Sequence, residues 1–296
     1  MTGIRRLGRK NEYLSFAHSQ QGASHLLTGT VCQDHSLISG GRDLIFAAVC
    51  DGHGGSDYVR SDRGSRLAAQ AALECVSDSA LLSALRRSRS ERETERLIQQ
   101  LKRSIIGLWL RLIGEDFDNE PFSEDELAWV SDAAREEYLA GNIAPAYGST
   151  LVFSLTAKDL WLVMQLGDGN CAVMLDDGSI TEPLPPDPLC RMNITTSMCD
   201  SEAAAEMRHC LGTEPPAAVF LSTDGIENSF SGKEQLYAFY RTAASAFSSG
   251  DIAEAEAQLL DYLPRLSEKG SGDDVSFAFV LDRDKVKEIA EKASDN

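Results

Sequence analysis

With 296 residues, 43% of them hydrophobic and 25% charged, the chain has the composition of a folded protein long enough to bury its own core, which excludes disordered and collagen-like classes. Lys+Arg 28 against Asp+Glu 46 leaves a net charge of −18, so neither a nucleic-acid backbone nor an anionic membrane is an expected partner. The 7 cysteines include no CxxC pair and read as reduced thiols of a cytoplasmic protein.

The opening MTGIRRLGRK is basic but leads into no apolar stretch, so no signal peptide is expected. Leu44–Cys50 is the longest clean apolar run, far short of the ~20 residues that span a bilayer, and reads as a buried strand. Arg63–Cys75 reads as a helix. Residues 78–146 read as a helical insertion in a single domain covering 1–296, with a core at about 24–281. Within the insertion, Leu97, Leu101, Ile105, Leu108 and Leu112 form an amphipathic stripe along Glu91–Leu112, and Glu124–Ala140 continues the pattern. Arg86, Arg87, Arg89, Arg92, Arg96, Lys102 and Arg103 concentrate base here. With Glu91, Glu93 and Glu95 interleaved, they are expected to form a salt-bridged solvated face.

Leu151–Thr156, Leu160–Leu166 and Cys171–Leu175 follow one another across short spacers, which predicts consecutive hairpins and an antiparallel sheet. The segment between Pro188 and Pro215 is rich in sulfur (Met192, Met198, Cys199, Met207, Cys210). It reads either as a substrate-selecting flap or as a loop and amphipathic helix packed on the core. Strands at Ala218–Leu221 and Val275–Leu281 bracket two helices, Lys233–Phe247 and Ile252–Leu266, the second disturbed by Pro264. A polar helix at Asp284–Lys292 follows. With no βαβ alternation, the class is α+β.

Four aspartates stand at the ends of apolar strands: Asp51, Asp168, Asp224 and Asp273. Each alone is an ordinary turn residue. Together they are carboxylates converging on one sheet edge, which repel one another unless cations intervene. An oxygen-only set suits Mg²⁺ or Mn²⁺, and two such ions ~3.5–4 Å apart can clamp a phosphoryl group and activate a water. Gly52 lets a backbone carbonyl approach a cation. His53, on what reads as a mobile loop between Gly52 and Gly54, has an ordinary pKa of ~6.5 and suits a general acid.

The motifs DGHGG at 51–55, GST at 148–150, GDG at 167–169, STDG at 222–225 and GDD at 272–274 occur in this order. Together with SHLLTG at 24–29 and CQDH at 32–35, they resemble the metal-dependent protein serine/threonine phosphatases of type 2C, in their bacterial branch. The resemblance implies a four-layer α-β-β-α sandwich of two antiparallel sheets flanked by helices. It implies hydrolysis of phosphoserine and phosphothreonine on proteins by a metal-activated water, in signalling opposed to a cognate kinase. It implies Asp51 bridging two Mn²⁺ or Mg²⁺ ions, the Gly52 carbonyl on the second, and Asp224 and Asp273 on the first. Asp168 would serve a third ion in members that have one, and His53 would be the acid. Asp34 and Asp274 would hold water behind the metals, and Gly148-Ser149-Thr150 would be a close-packed strand start without a chemical role.

Three positions depart from the family pattern. Gln33 stands where many members carry Glu, which weakens the expected second metal site. Gly29 lies near the place of a phosphate-holding Arg, leaving Arg5 or Arg6 as candidates. Asn228 stands where several members offer another acid for the third ion. These departures keep open a weakly active or inactive phosphoprotein-binding module on the same fold. A small-molecule phosphohydrolase is a further alternative. A two-metal nuclease is disfavoured by the low pI.

Overall fold

The computed structural model describes residues 3–6, 13–41, 44–190 and 194–294. The chain runs β1 (Gly3–Arg6), β2 (Tyr13–Gln20), α1 (Ala23–Thr28), β3 (His35–Gly41), β4 (Leu44–Cys50) and α2 (Ser61–Val76). A helical stretch follows: α3 (Ser79–Arg87), α4 (Glu91–Asn119), α5 (Glu124–Trp129), α6 (Asp132–Leu139) and a 3-10 turn at Ala144–Tyr147. The rest comprises β5 (Leu151–Ala157), β6 (Leu160–Leu166), β7 (Asn170–Met174), β8 (Ile180–Thr181), α7 (Ala203–Glu206), β9 (Arg208–Gly212), β10 (Ala218–Ser222) and α8 (Asp224–Glu227). Last come α9 (Lys233–Ser249), α10 (Ile252–Lys269), β11 (Val275–Asp282) and α11 (Arg283–Ser294).

Two antiparallel sheets result, ordered β1-β2-β11-β10-β7-β8 and β3-β4-β5-β6-β9. Strand alternation divides the apolar residues among three cores. Ile45, Ala47 and Val49 of β4 face β11's Ala278 and Val280 and β10's Val219 and Leu221 in the layer between the sheets. Phe46, Ala48 and Cys50 point the other way, into a core shared with α2 and α4. Phe220, Phe277 and Phe279 point outward beneath α9 and α10, joined by Tyr240 and Phe247. Strands covered on both faces need apolar residues at every position, so the runs look unbroken in the sequence. The arrangement is the expected α-β-β-α sandwich.

The elements differ from expectation in instructive ways. The pattern at 124–140 is two helices, because Val130 is extended and Ser131 starts α6 afresh by accepting the Ala134 N–H. Pro264 lies inside α10 without ending it. The predicted second hairpin is not one. β6 pairs with β5 and β9, whereas β7 pairs with β10 and β8, so the chain crosses from one sheet to the other at 167–169. A short spacer permits either course, and doubly buried strands carry no alternation that assigns them to a sheet. The crossing is held by the Gln165 amide, which donates to the Gly167 and Gly169 carbonyls. The Arg208 guanidinium also donates to Gly167 O, at 2.8 Å. No helix among the described residues is long and apolar enough to cross a membrane.

Candidate functional site

The ends of β4 and β10, the starts of β3 and β11, and the crossing at 167–169 supply the acidic residues. Asp51 follows β4, and its backbone is clamped in both directions by one residue. The Asp51 N–H donates to Thr150 Oγ1 at 3.0 Å, and the Thr150 N–H donates to Asp51 O at 2.8 Å. The Asp51 carboxyl is pushed well above the usual carboxylate range, first by burial, then by the charges of Asp34 and Asp224. Asp224 opens α8, and its carboxyl hydrogen-bonds that of Asp51. It too is raised, by burial and by the charges of Asp168 and Asp273. Asp34 is 7% exposed and raised by burial and Asp274, although the hydroxyl of Thr223 donates to it at 2.8 Å.

Carboxyls that raise one another in this way repel unless a cation lies among them. Oxygen donors of this kind suit Mg²⁺ or Mn²⁺, hard cations that keep part of their water. Among the described residues, no group of three or more His, Cys, Asp or Glu side chains is gathered closely enough to hold a metal ion as it stands. The Asp273 carboxyl stays 52% exposed, its Oδ1 accepting the Asp274 N–H at 2.9 Å. By its chemistry, an oxygen-only donor set, the site fits these cations.

The loop carrying His53 is fixed rather than mobile. The His53 N–H donates to Gly148 O at 3.0 Å, and its carbonyl accepts Gln33 Nε2 at 3.1 Å. The ring meets Tyr58 edge-on, with centroids 5.1 Å apart, and Nε2 lies 2.7 Å from Ser197 Oγ. A Cβ on Gly148 would stand 2.6 Å from His53 Cδ2, so this position admits only glycine while the ring keeps its place. Gly52 is crowded likewise, its missing Cβ falling 2.5 Å from Ser61 O and 2.6 Å from Gln33 O. Burial lowers the His53 pKa, while Asp168 and Asp200 push it back up.

Gln33 and Asp274 are ties between segments. Gln33 donates through Nε2 to Ser61 Oγ at 2.6 Å as well as to His53 O, which a glutamate could not do. Asp274 ties three segments of the chain together through both oxygens. Oδ1 accepts the Gly22 N–H at 2.6 Å and lies 2.9 Å from His25 Nδ1, and Oδ2 accepts the Gln33 N–H at 2.6 Å. Asn228 Nδ2 donates to Asp224 at 3.0 Å. Arg5 and Arg6 lie on β1, at the edge of the six-stranded sheet, and their side chains are outside the described residues.

Thr150, Ser197 and Thr223 touch the centre and were not foreseen. The GST run, expected to have no chemical part, holds the Asp51 backbone. Met198 and Met207, each 1% exposed, pack into the helix-side core, and Ser197 beside them reaches His53; the segment is not the expected loop and amphipathic helix, because after the short α7 it adds strand β9 to the edge of the second sheet. Met192 lies outside the described residues.

Comparisons with known proteins agree with this architecture. A structure of a bacterial serine phosphatase bearing a point substitution aligns with a TM-score of 0.56 and 13% identity, covering 93% of this chain and 99% of its own. RsbX in complex with magnesium aligns at 0.51 and 11%, covering 95% and 99%. The catalytic domain of the serine/threonine phosphatase PstP, solved with two manganese ions, aligns at 0.50 and 15%, covering 91% and 97%. At these identities the likeness is one of fold. No curated protein matches the chain. The family profile "Protein phosphatase 2C" matches residues 21–264, most of the chain. With the sandwich and the ordered motifs, this match places the chain in the protein phosphatase 2C family.

Proposed function

We propose that the protein hydrolyses phosphoserine and phosphothreonine esters on protein substrates, using two Mn²⁺ or Mg²⁺ ions, and opposes a cognate kinase. The observation that carries this reading is the half-buried Asp51–Asp224 carboxyl pair, on which the charges of Asp34, Asp168 and Asp273 also act.

Asp51 would hold both ions, the Gly52 carbonyl the second, and Asp224 and Asp273 the first, with Asp168 available for a third. When bound, the ions neutralise the phosphoryl oxygens and supply a water acidic enough to attack phosphorus. Thr150 holds the Asp51 backbone, so the carboxylate is set before any cation arrives. Asp34, fixed by Thr223, would orient water behind the metals. His53 offers Nε2 to the leaving oxygen, and Gln33 and Gly148 keep its backbone in place during transfer. Asp274 joins the 22–25 turn to the strand that carries Asp273.

The test compares a phosphoserine peptide with para-nitrophenyl phosphate, with and without Mn²⁺. Metal-dependent turnover of both is expected. His53→Gln should slow the peptide by ~10²–10⁴-fold and the aryl ester distinctly less, because a phenolate leaves without a proton. Peptide binding without turnover would indicate a binding module instead. Turnover confined to small phosphate esters would indicate a metabolite phosphohydrolase.

A further inference from the structure

The arginine-rich start of α4 lacks the ion pairs its sequence suggests. Arg92, Arg96 and Arg103 are all exposed. At 100° per residue they fall within roughly 40° of one another on the helix, along about 16 Å of its length. Two of the acidic residues near them are occupied elsewhere. Glu95 faces His209 at 3.2 Å and Gln99 at 2.8 Å, and Glu93 accepts the Arg89 N–H at 3.3 Å. Arg86 pairs with Asp159 across the helix–strand boundary. Among the described residues, Arg92, Arg96 and Arg103 make no ion pair. The apolar stripe of α4 (Ile98, Leu101, Ile105, Trp109, Ile113) lies on the far side, buried in the core.

This placement works against the helix. Arg92 sits in the first turn, where the macrodipole disfavours a cation. Arg92 and Arg96 are like charges at i,i+4, which repel. In a chain of net charge −18, an unpaired cationic stripe that costs helix stability points to an anionic occupant. We propose that this face of α4 docks an acidic segment of a protein partner, with Arg92, Arg96 and Arg103 pairing with its carboxylates. The face is remote from the aspartate centre. Trp109 meets Gly64 near the centre's end of α2, and Arg96 lies about 20 Å farther along α4. A membrane is a poor occupant, because Leu110 is the one large apolar residue that α4 exposes among the described residues, too little to insert. The ~16 Å of the stripe matches about five residues of extended peptide.

The test is a binding measurement and stands whatever the centre catalyses. A dye-labelled hexaglutamate peptide is titrated with the full chain by fluorescence anisotropy, beside labelled hexalysine and hexathymidylate. Hexaglutamate should bind, more weakly as salt rises. The combined Arg92→Gln, Arg96→Gln, Arg103→Gln variant should weaken binding about tenfold or more, with an unfolding temperature equal to or above wild type. Arg111→Gln, which removes a cation already paired with Glu115 on the same helix, should leave binding unchanged. No hexaglutamate binding by the wild type, an unchanged affinity in the triple variant, or an equal loss in Arg111→Gln would overturn the proposal. Tighter binding of hexathymidylate than of hexaglutamate would assign the face to nucleic acid and overturn it as well.

Discussion

Asp51 pays for its place in the fold as a half-buried acid among acids. Its raised pKa means that the folded, metal-free protein holds a proton which the unfolded chain releases at lower pH. The metal-free fold therefore loses stability as pH rises through the carboxylate range, and a bound cation removes that penalty. Asp51→Asn should abolish turnover and raise the melting temperature of the metal-free protein, by about 2–4 °C for each kcal/mol of repulsion relieved. Calorimetry at neutral pH in chelator checks this. A lower melting temperature would show that the carboxylate stabilises the empty fold. Gly148→Ala should displace the His53 ring and lower phosphopeptide kcat about 10²-fold, since misplacing a reacting group by ~1 Å costs that much. An unchanged kcat would show that the ring position does not matter. At this scale the aspartates and His53 were legible because each sits in a short motif. Thr150 and Ser197 were not, because they meet Asp51 and His53 across 99 and 144 residues of sequence.

At the scale of elements, the helical stretch of α3–α6 is riveted to the centre by Arg60. This guanidinium is 1% exposed, and Nε and Nη2 bind the Glu126 carboxylate at 2.7 and 3.1 Å. Nη1 donates to Glu120 O at 2.6 Å and to the Tyr147 hydroxyl at 2.8 Å, and the Phe122 ring lies 4.6 Å from the guanidinium carbon. Tyr147 is next to Gly148, which holds His53. Burial alone would raise Glu126, but Arg60 and Ser123 override it and hold its pKa at about 2. The pair's contribution is complete above the usual glutamate value and is lost as pH falls through about 2. Arg60→Leu should cost about 3 kcal/mol in urea unfolding, because it strands its partners. A loss under about 1 kcal/mol would show that the rivet carries little. The strands legible in sequence were those apolar throughout. β2 and β3 were not, because YLSFAHSQ and HSLISGG mix Ser, His and Gly into their runs.

For the molecule as a whole, three apolar cores hold the sandwich without help from the aspartate edge. Chelation should therefore stop hydrolysis while circular dichroism stays unchanged. A cooperative loss of signal in EDTA would make the carboxylates structural ligands instead. The α+β class and the antiparallel sheets followed from strand texture. The crossing at 167–169 did not, because only the choice of pairing partner reveals it.

The tie between Gly22 and Asp274 also bears on how the protein is made. The two residues are 252 positions apart, and β11, which follows Asp274, lies between β2 and β10. During synthesis at about 5–20 residues per second, the helix-side core around β4, α2 and β5 emerges tens of seconds or less before β11 does. In that interval the six-stranded sheet lacks its central strand, and neither Asp273 nor Asp274 is present at the edge. A chain whose synthesis stops before β11 therefore lacks both the strand that joins β2 to β10 and two of the aspartates at the edge.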